Sequence, residues 1–207
     1  PPDNVQTLPH LIVAQRTSPT NIGLYLLAVA CARAFGWITP MDMLERLHAT
    51  LDTLEGLPRE RGHLLNWIDT LTLEPLLPAY VSTVDSGNLC AHLLAVAQAC
   101  EAADAAEALQ HQLNLIARRC RRLAEAADFG FLYDPQRRLL HIGWQVADQK
   151  LDPGHYDLLA SESRLASLWA IAKGDVPAAH WSALGRSFQA DGAEAALLSW
   201  TGSMFEY

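Results

Sequence analysis

Glu162 has the setting most suggestive of chemistry in this sequence. In YDLLASESRLASLWAIAKGD, Leu158, Glu162, Leu165, Trp169 and Ala172 recur at spacings of 4, 3, 4 and 3, which predicts one face of a helix. A carboxylate in an apolar stripe is costly unless it is paired or protonated. Burial would raise its pKa, as a general acid requires; a buried ion pair with Arg164 is the competing reading. Asp85 stands before Ser86-Gly87-Asn88 at the start of an apolar run. Either Asp85 or Ser86 caps a helix there, or Asp85 points a carboxylate into a cavity at the helix mouth. Asp69, in NWIDT, reads as a turn residue or a ligand-binding group. Most of the tryptophans are core candidates, and any subset lining a pocket would suit sugar rings. His180-Trp181 reads by default as surface packing after the Asp175-Val176-Pro177 turn. Carboxylates, aromatics and amides together point to glycoside chemistry.

The elements that must position these groups are mostly helical. The first predicted helix, about Pro19 to Phe35 with Ser18 as cap, has almost no polar face and is expected to be buried all round. The second, Pro40 to Leu54, is amphipathic, with Leu44, Leu47, Leu51 and Leu54 on one stripe. The alternation repeats with Ser86–Ala102 buried, Ala105–Ala127 amphipathic, Tyr156–Ala172 buried and Pro177–Leu184 outer. Two strands around an Asp134-Pro135 turn are expected between Phe129 and Val146. The predicted class is all-α, with inner helices sheathed by outer ones and a small β-hairpin insertion. The stretch from Asn66 to Leu94 lacks helical spacing and reads as a connection from an outer helix to the mouth of the next inner one.

Half of the 207 residues are hydrophobic and 18% are charged, so a substantial core is expected. A net charge of -8 argues against nucleic acid as a partner. Arg118, Arg119, Arg121 and Arg122 read as a solvated helix face. Cys31, Cys90, Cys100 and Cys120 lie in apolar helical patterns without C-x-x-C spacing, and read as buried thiols in a reducing compartment. The eight histidines are scattered, and neither a metal nor a cofactor is expected. The longest apolar run, Ile22 to Ala32, falls short of the roughly 20 residues that span a bilayer.

TSPTNIGLYLLA, HLLNWIDTLTLEPLLPAYVSTVDSGNL, DFGFLYDPQRRLLHIGW, YDLLASESRLASLWAIAKGDVPAAHWSALGR and SWTGSMFEY resemble the glycoamylase-like domain of bacterial cyclic β-1,2-glucan synthases, to which endo-β-1,2-glucanases are related. The resemblance covers nearly the whole chain. It implies an (α/α)6 toroid, of which residues 1–207 would form the N-terminal part, about three inner/outer helix pairs. It implies action on β-1,2-glucan by glycosyl transfer, as in cyclisation, or by hydrolysis through paired carboxylates. Glu162 and Asp85 are then the catalytic candidates; Asn66, Asp69, Asn88, Tyr156, His180, Trp181, Arg186 and Trp200 would line or support sugar subsites. The family pattern continues past MFEY with a further acidic motif, so this piece alone is expected to be inactive. A non-catalytic carbohydrate-binding or chain-length-sensing module is the alternative, and a purely structural scaffold ranks last. The implied partners are β-1,2-glucan oligosaccharide and the remaining domains of the synthase, with self-association through an apolar edge. The implied location is the cytoplasmic side of the inner membrane, the piece itself being soluble.

Overall fold

The computed structural model describes residues 1–207 apart from Ala193, Phe205 and Tyr207, so two residues of the terminal SWTGSMFEY motif lie outside the described residues. The helices are α1 (Pro19–Ala34), α2 (Pro40–Gly56), α3 (Thr83–Glu101), α4 (Glu107–Ala126), α5 (Arg164–Lys173) and α6 (Ala179–Ala183). Local chemistry sets their ends. Ser18 Oγ accepts from the Asn21 N–H at 3.2 Å, with Pro19 in the first turn of α1. Thr39 and Asp42 cap α2 reciprocally, at 3.1 and 2.9 Å. Gly174, at φ 87°, closes α5 in the left-handed conformation.

α3 packs between α1 and α5, while α2 packs on α1 and α4, α4 on α3, and α6 on α5. The amphipathic stripes supply the outer half of the core: Leu47, Leu51 and Leu54 from α2, and Leu113, Ile116 and Cys120 from α4, are buried against Leu26 and Leu93. Gly87 permits the closest crossing, because a Cβ there would lie 2.4 Å from both Cα and Cβ of Ala166. Arg119 bonds Asp52 and Glu55, Arg122 bonds Glu55, and Arg121 bonds Glu101. Three of the four arginines of the basic cluster are therefore ion-paired to α2 and α3 rather than merely solvated.

Four expectations change. Strand structure exceeds a hairpin: besides the antiparallel pair Tyr133–Asp134 with Leu139–Leu140, a five-stranded antiparallel sheet caps one end of the helices. Its strands are β1 (Arg16–Thr17), β2 (Asn66–Asp69), β3 (Pro75–Ser82), β4 (Gly143–Gln145) and β5 (Lys150–Leu151), in spatial order β5-β4-β3-β2-β1. Of the aperiodic stretch from Asn66 to Leu94, residues 66–82 are mostly strand and the rest is the start of α3. The third inner helix starts at Arg164, not Tyr156, because the amides before it bond elsewhere: Leu158 to Gly185 O, Ala160 to Asp157 O and Ser163 to Ala160 O. α1 is not buried all round. Its neighbours α2 and α3 cover Ile22, Leu26 and Val29, leaving Leu24 and Cys31 exposed. The other three cysteines are buried, and burial pushes each thiol up to about 12. Among the described residues, no helix is long and apolar enough to cross a membrane.

Candidate functional site

The sheet delivers two helix N-termini to one place. β1 runs into Ser18, the cap of α1, and β3 ends on Ser82, the cap of α3. Ser82 Oγ accepts from the Asp85 N–H at 3.2 Å, so the capping role falls to Ser82 and the Asp85 side chain is free for other contacts. Asp85 Oδ1 accepts from Thr20 Oγ1 at 2.6 Å, and Oδ2 accepts from Asn66 Nδ2 at 2.9 Å. Asn88 Nδ2 donates to Thr20 Oγ1 at 3.1 Å and steadies the first of these bonds. Both carboxylate oxygens are therefore aimed. A register shift in the β2–β3 pairing between Asn66 and Ile68 places Trp67 beside them, with the Arg16 guanidinium 4.5 Å from its ring centre.

Asp85 stands where two cavities meet. One, of ≈ 300 Å³, is lined by Thr20, Trp67, Asp85, Tyr156, Ser161 and Glu162, among others. The other, of ≈ 410 Å³, shares Trp67, Ser82 and Asp85 and adds Asn66, Leu77 and Tyr80. Glu162 lies in the turn ahead of α5 and accepts from the Ser161 hydroxyl. That turn is held by Glu206, whose Oε1 accepts from the Ser161 N–H at 3.0 Å while Oε2 takes the Thr201 hydroxyl at 2.6 Å and the Thr201 N–H at 2.9 Å. The Thr201 hydroxyl foremost, with backbone amides behind it, holds the Glu206 carboxyl down to about 2. Burial, then the nearby Asp85 and Glu162 carboxylates, push the Tyr156 phenol well above its ordinary value. It stays protonated as a donor facing the cleft. Trp200 donates to Asp157 Oδ2 at 3.2 Å, and its ring lies 5.6 Å from that of Tyr156. A separate apolar cavity of ≈ 580 Å³ beside α1 and α2 has Glu45 as its sole lining carboxylate, which is poorer equipment for glycoside chemistry.

No family model matches the chain. Cyclic beta-(1,2)-glucan synthase NdvB of Rhizobium meliloti is 36% identical in an alignment spanning 326 positions, gaps included, that covers 100% of this chain and 12% of that protein. The chain resembles cyclic β-1,2-glucan synthase throughout its length. Solved structures agree at the level of fold. A Bacteroides caccae protein provisionally assigned as a glucoamylase has a TM-score of 0.70 at 18% identity, covering 98% of this chain and 49% of that one. The endo-beta-1,2-glucanase of Chitinophaga pinensis, solved with sophorotriose and glucose, has a TM-score of 0.69 at 17% identity, covering 91% and 46%. The chain thus spans a small part of the synthase and about half of each of these two solved structures.

Within this synthase-like chain, folding gathers Asp85, Asn66, Tyr156 and Glu162 around one cleft, with Asn88 behind it on Thr20 and Trp200 tilted against Tyr156. Four predicted subsite residues lie elsewhere. Asp69 Oδ1 accepts from the amides of Leu71 and Thr72 at 2.8 and 2.9 Å and shapes the β2–β3 turn. His180 is buried between Arg138 O, 2.9 Å from Nδ1, and Ser167 Oγ, 2.8 Å from Nε2; both ring nitrogens are occupied, and burial lowers its pKa. Arg186 donates to the carbonyls of Leu184 and Trp181 at 2.6 and 2.8 Å and ties off the end of α6, and Trp181 lines neither cavity. Motif and spacing do not point to Thr20, do not single out Trp67 among the tryptophans that could line a pocket, and give Glu206 no role. An apolar helix carrying Thr20 in its first turn was the available signal for the first of these.

Proposed function

We propose that the chain forms the first part of a glycoamylase-like (α/α)6 domain that acts on β-1,2-glucan. The carrying observation is that Glu162 and Asp85, from different elements, line one cleft with an aromatic wall. Similarity to the glucan synthase and the shared fold of a β-1,2-glucanase support the substrate class. Glu162, held by a single serine hydroxyl, protonates the leaving glycosidic oxygen. Asp85, braced on both oxygens, accepts from sugar hydroxyls and fixes the ring at that point. The partner carboxylate comes from the rest of the domain, whose helices would cover the exposed Leu24 face of α1. The isolated chain therefore binds glucan without turning it over.

The test feeds linear β-1,2-glucan to the complete domain and its Glu162→Gln variant, with products followed as rings or shorter chains. Loss of general acid catalysis lowers turnover by about 10²–10⁴-fold with binding retained. Unchanged turnover removes Glu162 from the chemistry. The bracing of Asp85 is the observation that favours the second reading, a binding or chain-length-sensing module. Under that reading, Asp85→Ala alone abolishes the tryptophan fluorescence response to glucan, and Glu162→Gln alters no product.

A further inference from the structure

Outside the cleft, Asp134, His141 and His155 converge, with one potential ligand atom from each lying within 4.8 Å of the others. Asp134 ends the strand Tyr133–Asp134, while His141 and His155 face each other across an isolated antiparallel bridge, their rings 4.3 Å apart. The lone pairs are prepared. His141 Nδ1 lies 2.6 Å from Asp152 O, an acceptor only, so Nδ1 carries the proton and Nε2 presents its lone pair. A ligating histidine is commonly oriented by such a bond to a backbone carbonyl. The His155 side chain is 9% exposed, and its Nε2 is buried without a hydrogen-bond partner among the described residues. That nitrogen stands 3.7 Å from Asp134 Oδ2, too far for a hydrogen bond. Two ligands held at about 2.05 Å on one tetrahedral ion stand about 3.3 Å apart, so a small side-chain rotation would suffice. Asp134 Oδ1 is already engaged by the amides of Gln136 and Arg137 at 2.8 and 3.0 Å, which orients Oδ2. The competing cation is Arg137, whose Nε lies 3.7 Å from Oδ2 on a side chain 69% exposed and free to swing away.

We propose that Asp134, His141 and His155 form a binding site for a divalent transition-metal ion of the zinc class. Two imidazoles and a carboxylate are a zinc-type donor set that leaves a fourth position for water. Occupation would tie the hairpin strand to the segment leading directly into Tyr156, the cleft wall. The full chain, stripped with chelator, is titrated with Zn²⁺ by calorimetry and with Co²⁺ by visible absorption. The exposed Cys31 is replaced by serine, and His48, which pairs with Asp52, by glutamine, to remove competing donors. One Zn²⁺ per chain and tetrahedral Co²⁺ bands are expected. His155→Gln and Asp134→Asn each weaken binding by at least the about 10–100-fold that outer-shell changes cause, and abolish the bands. Asp134→Asn keeps the Oδ1 acceptor for both amides, so it carries the test if the histidine variant fails to fold. Absence of Zn²⁺ uptake by the parent, or an unchanged single site in Asp134→Asn, overturns the proposal.

Discussion

At the scale of single residues, the cleft is built by assigning each polar group one task. Asp85 was ambiguous in sequence because Asp and Ser cap helices equally well. The ambiguity disappears once Ser82, three residues earlier, takes the amide. The apolar spacing predicts Glu162 on a helical face, yet it sits in a turn; its placement depends on Glu206, a residue 44 positions away by sequence number. Glu206 acts as a positioning residue. Glu206→Gln in the complete domain is expected to lower kcat while KM for β-1,2-glucan changes little, since it loosens the Ser161 turn and leaves Asp85 and Trp67 in place. Steady-state kinetics over a range of glucan concentrations checks this; a rise in KM with kcat unchanged would contradict it. Asp69, His180 and Arg186 show the opposite case, polar residues in suggestive motifs that are consumed by turn, core and helix-end bonding.

At the scale of elements, the site depends on α3 being set against both α1 and α5. Ser82→Ala removes the cap of α3 and is expected to cost about 0.5–2 kcal/mol, read from urea denaturation. Gly87→Ala drives a methyl into the Ala166 backbone and is expected to cost about 1–3 kcal/mol by the same measurement, because neither helix can retreat without opening the core. The amphipathic helices α2 and α4 were legible almost residue by residue, since a polar face opposite an apolar one is a periodic signal. The sheet was not. Its strands β1, β4 and β5 are two or three residues long, too short for alternation to register, and they pair over sequence separations that no local pattern records.

At the scale of the whole molecule, stability should fall in two acid windows. His63 is buried under Phe129 and Phe131 with Nε2 donating to Asp128 O at 2.7 Å, and burial lowers its pKa to about 4. The unfolded chain then binds the extra proton first, so stability drops as pH falls from the unfolded value of 6.5 to about 4, by on the order of 3 kcal/mol. His63→Gln, which keeps a donor for the carbonyl, should flatten that window in thermal melts. Glu206, lowered from 4.5 to about 2, contributes above its unfolded value and loses that contribution as pH falls toward 2. By itself the sequence determined the apolar or amphipathic character of the helices, the Ser18 cap of α1 and the resemblance to the glucan synthases, because periodicity, capping and long ordered motifs are local properties of the chain. Only the tertiary structure decided that Thr20 and Asn66 grip Asp85, that Glu206 holds the turn of Glu162, and that Asp134, His141 and His155 share one point. Each of those is a meeting of side chains from separate elements, fixed by strand pairing and helix crossing rather than by spacing along the chain.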